Sequence, residues 1–438
     1  MEWIFPLIMI LGGLLVLLAT GLPVAFCFLV INLIGGYILW GGIDGLFNLT
    51  YSIFSSVATF PLLPVLLFVL MGSALFCSGV AVMAVEVVDK WLGRLPGRLC
   101  LVSIGAGTLF SSLSGSAMGT TAILGTTLLP EMQKRGYHHS IAIGSCMSGG
   151  LAMIIPPSAL AVVLASCAQV SVGAILIGGV VPGLLLASLY SAYIVGRCVI
   201  NPKLAPSYAV ESTPFKEKMI FTLKRLLPVS VLIFVVVGLI FLGIATPTES
   251  AALGAFCSFF LAAILRKLTW SVTKEIVRET LNVVLMMFLI LSGSMAYSQL
   301  LAYSGATAGL VQAISVMDVP PMVILLCTQL VILILGTFME PVSIMMISIP
   351  IFLPVITALG FNTIWFCLIT LLNLGIAMKT PPFGFLLFVM QGLTPPNIKI
   401  TDIYKATLPF IIIDIIGIML IVIFPIIALW IPNMMAMR

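Results

Sequence analysis

The chain has 438 residues, 61% of them drawn from AVILMFWYC and only 8% charged, with a formal net charge of +5. Soluble domains carry about 25% charged residues, so this composition excludes a soluble enzyme or a soluble binding module. Nor does the positive charge point to nucleic acid. Seventeen of the nineteen Lys and Arg fall in five short segments, 90–98, 134–135, 197–225, 266–278 and 399–405, which the positive-inside rule places in the cytoplasm.

Between these segments, apolar runs of about 20 residues, enough to cross a lipid bilayer, recur along the whole chain. Residues 3–20, 22–40 and 61–88 read as three spans with the N-terminus outside. The first lacks the basic flank of a cleaved signal peptide and reads as retained. Residues 100–130 join two basic segments and are long for one span but short for two. With Ser111-Ser-Leu-Ser-Gly-Ser116 at their middle, they predict a re-entrant hairpin entering from the cytoplasm. Residues 140–196 and 226–265 give two crossings each. The segments 211–225 and 266–279 read either as amphipathic interfacial helices with basic faces or as basic connecting loops. Residues 280–303 lead to an outer loop at Asp318-Val-Pro-Pro321. Residues 322–358, with Gly336-Thr-Phe-Met-Glu-Pro341 near their middle, predict a second hairpin entering from outside. Residues 361–393 return, and 406–432 leave the C-terminus outside.

Two stretches nearly repeat each other. Gly150-Leu-Ala-Met-Ile-Ile-Pro-Pro-Ser158 and Gly375-Ile-Ala-Met-Lys-Thr-Pro-Pro-Phe383 agree at Gly, Ala, Met, Pro and Pro, and each follows a Pro…Gly segment, Pro130…Gly136 and Pro354…Gly360. Matching proline-broken helices are the signature of a secondary transporter built from repeats. Opposite entry sides for the two hairpins make the repeat inverted. The prolines free backbone groups that lipid cannot satisfy, so these breaks are expected to line a protein-enclosed or watery site.

The chemistry is expected at the two tips and the two breaks. Ser112, Ser114, Gly115 and Ser116 offer oxygen ligands to a hard cation such as Na⁺, or are small packing residues between helices. Helix N-termini at the same break suit an anion. Pro156 and Ser158 mark the first break, and Met378, Thr380 and its two prolines mark the second. Lys379 is the one Lys or Arg outside the basic segments and the C-terminus. It would bind the anionic head of a substrate, pair with Glu340 of the second tip, or snorkel to an interface. Glu340 is a cation ligand, a partner to Lys379, or a satisfied turn carboxylate. Thr246 or Thr248 is expected to cap a helix start, with Glu249 favouring its positive end, and Asp414 to make a helix–helix contact. The nine cysteines lie singly in apolar segments without a CxxC or Cys/His cluster, so neither a disulfide framework nor a zinc site is expected.

At these residues the chain resembles the large membrane subunit of tripartite ATP-independent periplasmic (TRAP) transporters. The motifs are Ser114-Gly-Ser with Thr120-Thr-Ala, Leu129-Pro-Glu-Met-Gln-Lys-Arg-Gly-Tyr137, Ile155-Pro-Pro-Ser158, Thr246-Pro-Thr-Glu-Ser-Ala-Ala252, Phe338-Met-Glu-Pro341 with Ile349-Pro-Ile-Phe-Leu-Pro354, and Thr380-Pro-Pro-Phe-Gly384. They run in family order across roughly residues 20–430. The resemblance implies an elevator-type, sodium-driven importer of small organic anions in the bacterial inner membrane. It also implies a separate small membrane subunit of about four spans and a soluble periplasmic substrate-binding protein. Carried onto this sequence, it implies sodium ligands among Ser112, Ser114, Gly115, Gly150, Pro156, Gly336, Thr337, Glu340, Gly375 and Met378. Substrate contacts would come from Ser116, Ser158, Pro341, Lys379 and Thr380. Glu340 stands where aspartate is frequent, and Lys379 where an uncharged residue is usual, which pointed to a strongly acidic substrate head such as a sulfonate.

The expected architecture is therefore an all-α polytopic membrane protein, an inverted-repeat elevator with two re-entrant hairpins and two broken helices. Scaffold spans are expected at 1–98, 197–279 and 396–438, and transport regions at 99–196 and 280–395. The alternatives are an autonomous anion carrier and a channel. An intramembrane enzyme would need paired carboxylates, a Ser/Lys dyad or a metal cluster, and the sequence offers only isolated acids, two histidines and one intramembrane lysine. It has no Gly-x-x-x-x-Gly-Lys-Ser/Thr loop, so the chain is not itself an ATPase.

Overall fold

The computed structural model describes residues 3–80, 82–92, 95–114, 116–206, 214–396 and 398–436. All regular structure among them is helical. Val172–Ile200, Pro247–Ile264, Trp270–Tyr303, Pro341–Ala358 and Ile400–Ile423 are each long and apolar enough to cross a membrane, and further shorter apolar helices accompany them. The protein is thus a multi-pass membrane protein.

Two packed helix pairs stand where the hairpins are expected. Arg98–Ser114 and Ala117–Lys134 pack antiparallel, so that a Cβ on Gly107 would lie 3.1 Å from the Leu124 side chain. Pro321–Gly336 and Pro341–Ala358 form the second pair. At 1.5 Å per residue, Pro321–Gly336 is about 24 Å long, short of the ~30 Å hydrocarbon core. Both broken helices also form. In the first, His139–Cys146 tightens into a 3₁₀ turn, Met147–Met153, and resumes as Ala159–Cys167. In the second, Thr363–Ala377 stops and resumes as Phe385–Leu393. Both Pro-Pro bonds, Pro156-Pro157 and Pro381-Pro382, are cis.

The repeat extends to individual hydrogen bonds. Each hairpin ends on a left-handed glycine, Gly136 (φ 75°) and Gly360 (φ 79°). In each, the glycine amide donates back to Gln133 or Thr357, and the next amide, of Tyr137 or Phe361, donates to Met132 or Ile356, the C-cap geometry that only glycine adopts without a steric penalty. His138 and Asn362 then cap the broken helices. The repeats are interlocked. The second helix of the first hairpin packs on Phe385–Leu393, and the second helix of the second hairpin packs on Ala159–Cys167.

A second group of helices, Val24–Leu39, Ile43–Val57, Leu63–Cys77, Pro247–Ile264 and Trp270–Tyr303, packs together and abuts the repeats. Several expectations differ from the structure here. Ile43–Val57 was not anticipated, because Asp44, Asn48 and Thr50 interrupt its apolar pattern. Its buried face is Gly45, Leu49, Ser52 and Ser56, with Phe47, Tyr51 and Phe54 exposed. The segment 266–279 is no separate interfacial helix, since Trp270–Tyr303 runs unbroken for 34 residues. Helix Phe215–Ile233 likewise continues through to Phe241, while 211–213 lie outside the described residues. The final span ends at Ile423, and after Pro425 a separate helix, Ile426–Ala436, begins. Helix Ile400–Ile423 packs against His139–Cys146, Val180–Ile200 and Thr363–Ala377.

Candidate functional site

Each tip and break is held by a local side-chain bond that follows from its sequence. At the first tip, Ser116 Oγ accepts from the Gly119 amide at 3.2 Å, capping Ala117–Lys134. Gly115 and the side chains of Ser112 and Ser114 lie outside the described residues. At the first break, buried Ser158 accepts from the Ala161 amide at 3.3 Å and donates to the Met153 carbonyl at 2.8 Å, joining the two half-helices. At the second tip, the Glu340 carboxylate accepts from the Ser343 amide at 3.1 Å and its hydroxyl at 3.0 Å, while Thr337 donates to the Ile334 carbonyl. At the second break, Thr380 donates to the Ile376 carbonyl at 2.8 Å, and Tyr404 donates to the Pro382 carbonyl at 2.7 Å.

These four elements meet on one cavity of about 400 Å³. Ser116 comes from the first tip, Met153 and Pro157 from the first break, Glu340 and Pro341 from the second tip, and Met378 from the second break. The opposite wall is Leu63–Cys77, through Phe68, Phe76 and Cys77, and Trp270–Tyr303, through Glu279, Met286 and Met287. The volume lies in the range of small-molecule sites. Glu279 and Glu340 are the charged groups on its lining. Of the residues predicted from sequence, Ser116, Glu340, Pro341 and Met378 reach it. Pro156, Ser158, Gly336, Thr337 and Thr380 belong to the tips and breaks but are not on its lining. Glu279 was missed, because in sequence it belongs to an ordinary basic-acidic membrane boundary.

Lys379 is elsewhere. Its ammonium lies 2.6 Å from Asp414 Oδ2 and donates to the Tyr190 hydroxyl at 2.6 Å, and that hydroxyl donates to Asp414 Oδ1. All three are buried. They line a much smaller void together with Gly150 and Gly375, which stand back to back: a Cβ on Gly375 would lie 3.3 Å from the Gly150 carbonyl oxygen. The expected Lys379–Glu340 pair is therefore not formed, and Lys379 does not line the larger cavity. Asp414 makes the helix–helix contact expected of it, with Lys379 as its partner. Thr246 caps its helix as expected, and Glu249 completes a capping box by accepting from the Thr246 amide at 2.8 Å.

Residues 11–427 match the family described as tripartite ATP-independent periplasmic transporter, DctM component. The chain is 30% identical over 398 residues to the C4-dicarboxylate TRAP transporter large permease protein DctM of Pseudomonas aeruginosa, covering 90% of this chain and 91% of that one. It is 31% identical over 415 residues to the isethionate TRAP transporter permease protein DctMQ of Oleidesulfovibrio alaskensis, covering 94% of this chain and 64% of that protein. It is 29% identical over 429 residues to the sialic acid TRAP transporter large permease protein SiaM of Vibrio cholerae, covering 96% and 97%. Among solved structures it shares its fold with the YdaH transporter of Alcanivorax borkumensis, at a TM-score of 0.64 and 16% identity over 90% of each chain. The Neisseria gonorrhoeae efflux pump MtrF gives 0.61 and 13% over 93% and 95%. The paired hairpins, paired breaks and the family match together make this chain a member of the TRAP transporter large permease family, a transporter subunit and not an enzyme.

Proposed function

We propose that the chain is the membrane-embedded large permease subunit of a sodium-coupled, binding-protein-dependent importer of small organic anions, carboxylates or sulfonates, working by an elevator mechanism. The convergence of both tips and both breaks on one cavity, walled on its far side by Leu63–Cys77 and Trp270–Tyr303, carries the reading. The two repeats would be inverted and form the moving body, and the helices around Trp270–Tyr303 the fixed one. Charge on the lining supports cation coupling. With Glu279 and Glu340 there, an anion enters against like charge until cations neutralise the tip, so each ligand stabilises the other's binding. A separate small membrane subunit would brace the fixed helices, and a periplasmic binding protein would deliver the anion. The relatives that act on C4-dicarboxylates, isethionate and sialic acid support the anion class.

Reconstitution in liposomes with the small subunit tests this, using labelled dicarboxylates and sulfonates, with and without an inward sodium gradient and the binding protein. Uptake requiring both is expected. Saturable uptake without the binding protein would make it an autonomous carrier, and sodium-insensitive passive flux would make it a channel.

A further inference from the structure

The buried Lys379–Tyr190–Asp414 cluster is unequal between the repeats. In sequence separation, Tyr190 stands to Asp414 as Gly136 stands to Gly360 and His138 to Asn362, and the two lie on the corresponding helices Val180–Ile200 and Ile400–Ile423. At the breaks the separation is one residue longer, and there Lys379 corresponds to Ile154 as Gly375 does to Gly150. The first repeat thus packs this position with Ile154 and Tyr190, and the second with a lysine and an aspartate. The fold alone does not call for the charge. A buried ion pair also contributes little net stability over an apolar pair of similar size.

The place itself favours a cation. The 3₁₀ turn Met147–Met153 and helix Thr363–Ala377 both terminate beside it, and helix C-termini carry partial negative charge. Asp414 adds a full one. Lys379 Nζ sits between them, 3.6 Å from where a Cβ on Gly150 would stand, in the void bounded by Gly150, Gly375, Tyr190 and Asp414.

We propose that Asp414, Tyr190 and the two converging helix ends form a monovalent-cation site whose resident occupant is the ammonium of Lys379, a cation supplied by the chain itself. Met153 lines both this void and the larger cavity, so the tethered charge fixes the first break beside the substrate site without recruiting an ion. Only this last consequence rests on the transporter reading; the occupancy of the site does not.

The test is chemical rescue of Lys379→Ala in the purified full-length chain, by thermal unfolding in sodium-free choline buffer. Propylammonium is the probe, being the fragment that the substitution deletes. Lys379→Ala is expected to show a saturable rise in Tm of a few degrees with propylammonium, and a similar rise with Na⁺ beyond any that Na⁺ gives the parent chain. The parent chain and Lys379→Ala/Asp414→Asn should show no propylammonium response. A response of equal size in the double variant would overturn the proposal, as would its absence in Lys379→Ala. If Lys379→Ala cannot be obtained folded even when purified in propylammonium, the site does not accept a free cation and the proposal fails. Absence of uptake by the reconstituted parent chain, with an intact rescue of Tm in Lys379→Ala, would count against the transport reading alone.

Discussion

Lys379 and Asp414 are each other's main support. Removing the carboxylate strands an ammonium that is 2% exposed, and breaking one side of such a pair costs about 3–5 kcal/mol. Asp414→Ala should therefore lower Tm sharply in a thermal unfolding scan, while Lys379→Met/Asp414→Leu, which removes both charges, should recover most of the loss. Glu340 is set differently. It lines the cavity and caps Pro341–Ala358 through Ser343. Glu340→Gln keeps an oxygen to cap the helix but removes the charge. It should raise the sodium concentration for half-maximal uptake by about tenfold, toward the lower end of the usual range for coupled sites, with little change in Tm. An unchanged sodium dependence would remove Glu340 from the cation-coupling role.

At the level of elements, backbone contact decides what the breaks tolerate. A Cβ on Gly179 would lie 2.1 Å from the Ile154 carbonyl oxygen, whereas a Cβ on Gly196, in the same long helix, would meet nothing within 4 Å. Gly179→Ala should push the first break out of place, costing about 1–3 kcal/mol as overpacking does and abolishing uptake. Gly196→Ala should leave both Tm and uptake unchanged. The hairpins and breaks were legible in the sequence because Pro-Pro, Gly-x-Ala-Met and the basic segments are local signals. Ile43–Val57 was not, since Asp44, Asn48 and Thr50 break its apolar pattern on the exposed side, and the buried Ser52 finds its partner, Gln299, far away in the chain. The pairing of Lys379 with Asp414 was also hidden. Its signal was available, the equal spacing of Tyr190 and Asp414, but it becomes visible only after the two repeats are aligned beyond the proline motifs.

Across the whole molecule, polar contacts join the repeats to the surrounding helices. One is buried Ser294, on Trp270–Tyr303, which donates to the Met346 carbonyl in the second hairpin at 2.6 Å. A hydrogen bond of this kind is worth about 0.5–1.5 kcal/mol. If the bond is made in one end state only, Ser294→Ala should depopulate the arrangement described here. Cys77 lines the cavity, so in a variant keeping it as the single cysteine, maleimide labelling should slow about 2–10-fold. An unchanged rate would mean that the contact persists throughout the cycle.

The interlocking of the repeats bears on how the chain is made. Leu393 fills the space beside Gly125, where a Cβ would come within 2.6 Å of it, and Cys167 rests on Met346 at 3.6 Å. Each half supplies a packing surface for the other. At synthesis rates of about 5–20 residues per second, the stretch from the end of Val172–Ile200 to Leu393 takes roughly 10–40 s to emerge. For that interval the first half sits in the bilayer with its inner faces covered only by lipid or by a helper protein, and it reaches its final form only when the second half arrives.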